Sequence, residues 1–467
     1  MIRRYASVAL LLAACAAAQP AAPDTPAGRV FTAWLTAFNS ADRQQIQALD
    51  ETYRNDAPPV GQTLTFRERT GGFELVRVEK SDETTLVALV TERAGDTIAR
   101  VELSLDPVSP PKVARMELRA IPRPSDLALP RLSEADALAA LAARADELSG
   151  KDQFSGALLV ARRGKIRYQK AYGRANREAG IPNELNTQFR IGSMNKMFTS
   201  IAILQLVEAG KLKLDDPIGK HLSDYPNKDV ATKVTVRHLL THTGGTGDIF
   251  GPEFTKNRLT LREHSDYLAL YGWRPLGHEP GAEHRYSNYG FVLLGAIIEK
   301  VTGMSYYDHV RSAVFKRAGM TATDSLPESE TVAARSTGYM RRESAWVSNT
   351  DTLPWRGTAA GGGYSTVSDL FRFTEALKSG KLISKTLLAE ATRVQEQRYG
   401  YGFSIQGEGP LRMYGHGGGA PGMNGDLRVY PELGYVLVGL SNFDPPAASR
   451  PVEFFALRMP AAPSDLP

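Results

Sequence analysis

The chain has a single cysteine, Cys15, among its 467 residues. One cysteine can form neither a disulfide within the chain nor a cysteine-based metal site. There are 56 basic and 51 acidic residues, for a formal net charge of +5, and no cluster of lysine or arginine dominates any segment. The sequence therefore gives no indication of nucleic-acid binding.

Two catalytic motifs of common hydrolase classes are also missing. The chain has no Gly-x-Ser-x-Gly, which argues against an α/β-hydrolase, and no His-Glu-x-x-His, which argues against a zincin. His238 and His242 have the four-residue spacing of metal ligands on a helix, but no Glu follows His238, and Leu239-Leu240 indicates a packed helix. We therefore expect a structural role for these two histidines.

The N-terminus has the pattern of an export signal. A basic start precedes a short apolar run that is too short to span a membrane, so residues 1–18 are expected to be a signal peptide. Residues 12–15 resemble a bacterial lipoprotein box, in which Cys15 is lipidated and becomes the new N-terminus. Ordinary cleavage after residue 18 is the alternative, and both place the protein in the periplasm or on a membrane surface.

The rest of the chain is expected to form a small domain and a large one. Residues 19–28 are rich in Pro and Ala and predict a linker. Residues 29–121 predict a small α+β domain, in which a helical apolar stripe is followed by alternating segments expected to be strands, at 63–66, 72–78, 85–90 and 99–105. This order is similar to that of NTF2-like domains. Prolines between 122 and 130 then predict a hinge.

The large domain, residues 133–460, is expected to have strands near both ends and helices between them. A strand pair is predicted within 154–172 and four more strands between 399 and 441. The fold class predicted is α+β, with one antiparallel sheet, packed helices and an all-helical lobe.

The chemistry of this domain is expected at Ser193 and Lys196. On a helix, positions three apart lie on one face, so the hydroxyl and the amine are held side by side. Gly192 allows a close approach of the chain, and the apolar spacing from Met197 onward predicts a core-packed helix that ends at Gly210. A lysine whose pKa is lowered by burial or by neighbouring cations can take the proton of a serine.

Two further motifs could complete the site. Tyr286-Ser287-Asn288 offers a phenol that can relay a proton, with a pKa lowered by a nearby ammonium, and an amide that can orient the lysine and a substrate amide. His416-Gly417-Gly418 predicts a glycine-lined strand whose N–H groups can bind a developing oxyanion. Taken alone, these motifs also fit a surface tyrosine before a helix and a glycine-rich turn.

Together and in this order, the three motifs resemble the serine β-lactamase/penicillin-binding superfamily, and in particular its class C β-lactamase-like branch of esterases and D,D-peptidases. The resemblance covers roughly residues 150–445. It implies no metal or other cofactor. It implies that Ser193 is the acylated nucleophile and that Lys196 and Tyr286 share the general-base and general-acid work. The substrate-binding groups that it implies are Asn288, His416, Gly418 and Gly419, with an oxyanion hole formed by the N–H groups of Ser193 and Gly419.

The third motif departs from the Lys-Thr-Gly of the β-lactamases. A lysine would supply a permanent charge for a substrate carboxylate, whereas a histidine with an ordinary pKa of about 6.5 is mostly neutral at pH 7. We therefore expect an exported serine hydrolase of the carboxylesterase or D-amino-acid peptidase type, with at most weak β-lactamase activity. Its partners would be a small ester, amide or peptidoglycan-type peptide, and a membrane if Cys15 is lipidated. The alternative is a catalytically silent, penicillin-binding-like sensor.

Overall fold

The computed structural model describes residues 20–106, 108–342 and 345–462. The predicted signal peptide and Cys15 lie outside these residues. Contacts divide the chain into two units, Met1–Ala128 and Leu129–Pro467, and the division falls within the stretch where prolines predict a hinge. Across the described ranges, no helix is both long enough and apolar enough to cross a membrane.

Three helices precede a four-stranded antiparallel sheet in the N-terminal unit, with strand order β1-β2-β3-β4. Trp34 and Phe38 on the first helix stack on Phe73 of the first strand, with ring centroids 6.3 and 5.4 Å away, and form the centre of its core. The elements are α1 (Pro26–Ser40), α2 (Arg43–Tyr53), α3 (Val60–Thr70), β1 (Phe73–Ser81), β2 (Thr85–Glu92), β3 (Ile98–Asp106) and β4 (Lys112–Ile121).

Two local features of this unit differ from the prediction. The predicted strand at 63–66 lies inside helix α3, because Phe66 packs 5.7 Å from the ring of Phe38 and 6.0 Å from that of Phe73, and such tertiary contacts outweigh a weak local strand preference. Helix α1 begins at Pro26, inside the predicted linker. Thr25 caps it by accepting the N–H of Gly28 at 3.0 Å.

The C-terminal unit is built on a six-stranded antiparallel sheet, which confirms the predicted fold class. Strands from both ends of the unit pair at its centre, in the order Ser404–Gln406, Met413–Ala420, Met423–Tyr430, Tyr435–Ser441, Gly156–Arg162 and Lys165–Tyr172. Its strands, including short pairs outside the main sheet, are β5 (Gly156–Arg162), β6 (Lys165–Tyr172), β7 (Arg174–Asn176), β8 (Ile181–Pro182), β9 (Phe189–Arg190), β10 (Tyr339–Arg342), β11 (Ala345–Ser348), β12 (Tyr364–Ser365), β13 (Ser404–Gln406), β14 (Met413–Ala420), β15 (Met423–Tyr430) and β16 (Tyr435–Ser441).

Helices cover both faces of this sheet. A π-helical turn, Arg311–Phe315, joins the eleventh and twelfth helices. The helices are α4 (Glu134–Gly150), α5 (Asn195–Glu208), α6 (Lys228–Lys233), α7 (Val236–Leu240), α8 (Pro252–Asn257), α9 (His264–Tyr271), α10 (Asn288–Thr302), α11 (Tyr306–Val310), α12 (Lys316–Ala318), α13 (Val367–Lys378), α14 (Lys385–Ala391) and α15 (Ser449–Arg458).

Strand β5 shows how the sheet separates two cores. Successive side chains of a strand point to opposite faces. Leu158 and Val160 join a cluster with helices α4 and α15, whereas Leu159 joins the larger cluster that contains α5 and α10. Helix α5 is therefore buried between the sheet and the helical lobe, and its N-terminal end meets strand β14.

Candidate active site

Ser193 and Lys196 lie one turn apart at the start of helix α5. Ser193 belongs to a 3-10 turn, Gly192–Met194, that runs directly into the α-helix. The Lys196 Nζ is 3.3 Å from the Ser193 Oγ. Lys196 is completely buried, whereas Ser193 is partly exposed. The hydroxyl therefore faces both the amine and the solvent side from which a substrate would come.

The Lys196 amine has two other partners, and both can only accept a hydrogen bond from it. Its Nζ donates to the Asn288 Oδ1 at 2.7 Å and to the carbonyl oxygen of Ala360 at 2.5 Å. Burial lowers the pKa of Lys196 to about 7, although the Asp248 carboxylate acts in the opposite direction. A neutral amine has two hydrogens for these two acceptors, so its lone pair is left for the Ser193 hydroxyl.

Tyr286 lies beside the same amine, two residues before helix α10. The Lys196 Nζ is 4.7 Å from the centre of its ring, and 42% of the residue is exposed. Burial raises the pKa of the Tyr286 phenol to about 12, although the interaction with the Ser193 side chain acts in the opposite direction. The prediction of a lowered pKa is therefore wrong, because desolvation outweighs the Ser193 hydrogen bond and the Asp248 charge adds to the increase. The phenol remains protonated at neutral pH.

Asn288 is held in one orientation by two partners. Its Oδ1 accepts the hydrogen bond from Lys196, and its Nδ2 lies 3.0 Å from each carboxylate oxygen of Asp248. This geometry fits the prediction that Asn288 orients the lysine. It does not fit the prediction that the Asn288 amide binds a substrate amide, because its N–H groups are directed at Asp248. Asp248 is a site residue that no sequence motif predicts, because it lies 40 residues before Asn288 in a glycine-rich loop.

His416 is buried in strand β14, and both of its ring nitrogens have partners within the protein. Its Nδ1 lies 2.6 Å from the carbonyl oxygen of Gly417, which can only accept, so Nδ1 carries the proton. Its Nε2 lies 2.9 Å from the Tyr399 hydroxyl and accepts from it. Burial lowers the pKa of His416 to about 4, and Lys196 adds to this effect. The ring is therefore neutral near pH 7, and no free nitrogen is left for the predicted substrate contact.

The glycines of β14 allow this strand to lie directly against the turn that carries Ser193. A Cβ on Gly418 would lie 1.9 Å from the carbonyl oxygen of Ile191, and a Cβ on Gly192, whose φ is +54°, would lie 3.1 Å from the Gly419 nitrogen. The main chain of Gly419 is thus next to the turn that contains Ser193. Two N–H groups from adjacent segments are the usual composition of an oxyanion hole.

Within the part of the chain that the structure describes, no group of three or more His, Cys, Asp or Glu side chains could hold a metal ion. The histidines with metal-like spacing bind backbone instead. His238 Nδ1 accepts the N–H of Thr235 at 3.2 Å, and His242 Nδ1 accepts the N–H of Ser287 at 3.1 Å. These contacts agree with a structural role for the pair.

A family model described as Beta-lactamase matches residues 141–458, which is well over half of the chain. The chain therefore belongs to the Beta-lactamase family, and it is a serine hydrolase of that family. This confirms the resemblance drawn from the three motifs. The N-terminal unit lies wholly outside the match, and its similarity to NTF2-like domains stays a prediction.

Individual relatives include a penicillin-binding protein, an esterase and an amidohydrolase. The chain is 31% identical over 323 residues to Penicillin-binding protein 4* of Bacillus subtilis (strain 168), covering 64% of this chain and 70% of the relative. It is 34% identical over 203 residues to Esterase EstB of Burkholderia gladioli, covering 40% and 52%. The crystal structure of a D-stereospecific amidohydrolase from Streptomyces sp. matches with a TM-score of 0.57 and 31% identity, covering 67% of this chain and 97% of the other.

Proposed function

We propose that this protein is an exported serine hydrolase that cleaves an ester or an amide through an acyl-enzyme on Ser193. One observation carries the proposal: a fully buried amine with a pKa of about 7 lies 3.3 Å from the serine hydroxyl and has acceptors for its two hydrogens. A base with a pKa near the working pH is suited to proton transfer.

In the acylation step, Ser193 Oγ attacks the carbonyl carbon of the substrate while its proton moves to the neutral Nζ of Lys196. The N–H groups of Ser193 and Gly419 bind the oxyanion, and one such donor is typically worth ~3–4 kcal/mol in the transition state. Tyr286, which is protonated, donates to the leaving oxygen or nitrogen as the bond to the acyl carbon breaks. The ammonium of Lys196 then returns a proton to Tyr286.

Deacylation runs through the same groups in reverse. Water attacks the acyl carbon, and its proton goes to the basic group formed by Lys196 and Tyr286. The ester bond to Ser193 breaks, Oγ recovers a proton from the same groups, and the carboxylic acid is released. The enzyme returns to its starting protonation state.

The neutral third motif favours substrates that need no cationic partner from β14. The nitrogens of His416 are occupied by Gly417 and Tyr399, and the pKa of the ring is about 4. Simple esters and amides fit such a site better than β-lactams, whose carboxylate would find no charge on this strand. The esterase and D-stereospecific amidohydrolase relatives support the same substrate classes. We therefore propose carboxylesterase or D-amino-acid peptidase activity, with weak β-lactamase activity at most.

Export is supported by the sequence of the first 18 residues and by the position of Cys15. We propose a periplasmic protein or a bacterial lipoprotein attached to a membrane. Fractionation of cells that express the full chain, compared with Cys15→Ser, separates the two forms. A membrane-bound wild type and a released variant support lipidation. Recovery of both forms in the cytoplasm would contradict export.

Covalent labelling tests the acyl-enzyme proposal most directly. A fluorophosphonate probe should label the wild type at Ser193, and Ser193→Ala should not be labelled. Ser265→Ala, an exposed serine on helix α9, is the matched control and should be labelled like the wild type. Absence of any label would instead support the silent sensor. Turnover of a p-nitrophenyl ester, a D-amino-acid amide, a D-Ala-D-Ala peptide and nitrocefin then ranks the substrate classes, and dominant nitrocefin turnover would contradict the role given to His416.

A further inference from the structure

The loop of residues 242–248, between helices α7 and α8, contacts all three residues of the Tyr286-Ser287-Asn288 motif. His242, at the start of this loop, accepts hydrogen bonds from the backbone on both sides of Tyr286. Its carbonyl oxygen accepts the N–H of Arg285 at 2.9 Å, and its Nδ1 accepts the N–H of Ser287 at 3.1 Å. Its ring also packs on that of Tyr286, with centroids 4.2 Å apart. The position of the phenol is thus fixed from both sides.

Residues in the middle of the 242–248 loop form hydrogen bonds with Ser287. The Ser287 Oγ donates to the carbonyl oxygen of Gly247 at 2.5 Å and lies 3.1 Å from the Thr246 Oγ1. The same oxygen accepts the N–H of Gly290 at 2.9 Å and so caps helix α10. These three contacts use the full capacity of a hydroxyl, which has one donor and two acceptor positions.

Asp248, at the end of the loop, forms hydrogen bonds with Asn288. Both carboxylate oxygens of Asp248 face the Asn288 Nδ2 at 3.0 Å, and the Asp248 Oδ1 also accepts the N–H of Ile249 at 2.6 Å. A carboxylate can only accept, so the amide nitrogen must point to Asp248 and the amide oxygen to Lys196. In this orientation Asn288 presents a hydrogen-bond acceptor to Lys196. The reverse orientation would present the amide N–H groups, which cannot accept from the amine.

His242 occupies its place at a conformational cost. Its φ is +58°, a region that residues other than glycine rarely adopt, and only 1% of it is exposed. Burial holds the pKa of its imidazole well below the usual range, and the neighbouring Lys196, His416 and His284 act in the same direction. The ring therefore stays neutral, and Nδ1 remains an acceptor for the backbone of Ser287.

We propose that the 242–248 loop is a positioning element for catalysis, in which His242 sets the place of Tyr286 and Asp248 sets the amide orientation of Asn288 that directs the lone pair of Lys196 to Ser193. This inference rests on the proposed function, because it concerns the same reacting groups. His242 and Asp248 are positioning residues, since both act through another side chain.

Asp248 also supplies a negative charge close to the base. The other ionisable groups around Lys196 are Tyr286, His242 and His416, with His284 packed against His242. Acylation requires neutral Lys196, so the rate rises with pH through the pKa of this amine. Removal of the Asp248 charge lowers that pKa further, and the acid limb of the rate profile should therefore move to lower pH by about one unit.

The rate at which a fluorophosphonate modifies Ser193, measured as a function of pH, tests the role of Asp248. Asp248→Asn should shift the acid limb downward and lower the plateau rate about tenfold, because the new amide can pair with either orientation of Asn288. Asp229→Asn, an exposed acidic residue paired with Lys233, is the control and should match the wild type. An Asp248→Asn profile that coincides with the wild type would overturn the inference. Failure of the wild type to react at all would count against the proposed function instead.

An exchange of the two side chains separates positioning from stability. Asp248→Asn combined with Asn288→Asp keeps an N–H to carboxylate hydrogen bond between the positions and still gives Lys196 an acceptor. The double variant should recover much of the plateau rate and move the acid limb above that of the wild type, because the carboxylate now adjoins the amine. A double variant that folds like the wild type but recovers none of the plateau rate would overturn the inference.

The role of His242 is tested with two replacements and a control. His242→Asn keeps an acceptor and tolerates positive φ, whereas His242→Leu removes the acceptor. The leucine variant should lose up to about 100-fold in kcat for a D-amino-acid amide, whose leaving group needs the Tyr286 proton, with little change in KM, and the asparagine variant should retain most activity. His238→Leu, which removes a similar backbone contact away from Tyr286, should keep wild-type kcat. Thermal unfolding identifies variants that do not fold. Equal kcat for folded wild type and His242→Leu, or a folded His242→Asn as inactive as Ser193→Ala, would contradict the assignment.

Discussion

Lys196 and His416 are both buried basic side chains of the candidate site, yet only the first has a nitrogen available for chemistry. Burial lowers the pKa of each, to about 7 for the amine and about 4 for the imidazole. The neutral amine has acceptors for its hydrogens and a lone pair facing a serine hydroxyl, whereas the imidazole is bonded at both nitrogens within the protein. Desolvation alone therefore does not produce a catalytic base, because the nitrogen must also have a free lone pair that faces the reacting hydroxyl.

The strongest test of this comparison removes the amine. Lys196→Met preserves the volume and the apolar stem but leaves Ser193 without a base, so acylation should fall by about 1,000-fold or more. The measurement is the second-order rate of fluorophosphonate labelling together with kcat/KM for a p-nitrophenyl ester. A loss of less than tenfold in a folded variant would show that another group takes the serine proton.

The second test concerns Tyr286, which is protonated because burial raises its pKa to about 12. Tyr286→Phe removes the proton donor for the leaving group and should lower kcat about 100-fold for an amide. A p-nitrophenolate leaves without protonation, so the loss for a p-nitrophenyl ester should be clearly smaller. Equal losses for the two substrates would argue that Tyr286 acts on Ser193 and not on the leaving group.

The local parts of this site could be predicted from the sequence, whereas its long-range partners could not. Ser193 and Lys196 lie on one turn of helix, so their spacing alone places the hydroxyl beside the amine. The motif order also identified the family, and the strand patterns at both ends of the large domain predicted its antiparallel sheet. Asp248, Tyr399 and the Ala360 carbonyl, in contrast, reach the site through loops of variable length, and no spacing rule connects them to the motifs.

Two of the mistaken expectations have the same physical origin. A neighbouring ammonium predicts a lower pKa for Tyr286, but the structure buries the Lys196 amine completely, and desolvation of the phenol raises its pKa instead. The segment 63–66 was expected to be a strand from its local pattern, but Phe66 packs against two aromatic rings of the same unit. In both cases the deciding quantity is burial, which depends on contacts far away in the sequence.

The third test uses the separate titrations of the two basic groups. Because the neutral amine is the active form, kcat/KM for an uncharged ester should rise with pH through about 7 and should fall about tenfold for each unit below it. His416 should add no second limb until the pH approaches about 4. A steady-state pH profile on a folded, stable enzyme checks both points. An acid limb centred near 4 would transfer the role of base from Lys196 to His416.

The smallest expected effect comes from the contact that occupies His416. Tyr399→Phe removes the hydroxyl that donates to the His416 Nε2 at 2.9 Å but keeps the ring that packs against His242 at 4.6 Å. The freed nitrogen would still belong to a neutral ring, so kcat/KM for an uncharged ester should change by no more than about threefold. The sharper readout is selectivity, measured as the ratio of kcat/KM for a substrate with a carboxylate to that for its uncharged ester. If Tyr399→Phe raises this ratio tenfold or more, then His416 binds a carboxylate once its Nε2 no longer accepts from Tyr399. That result would show that the Tyr399 hydrogen bond, and not the low pKa of the ring, keeps the His416 site neutral.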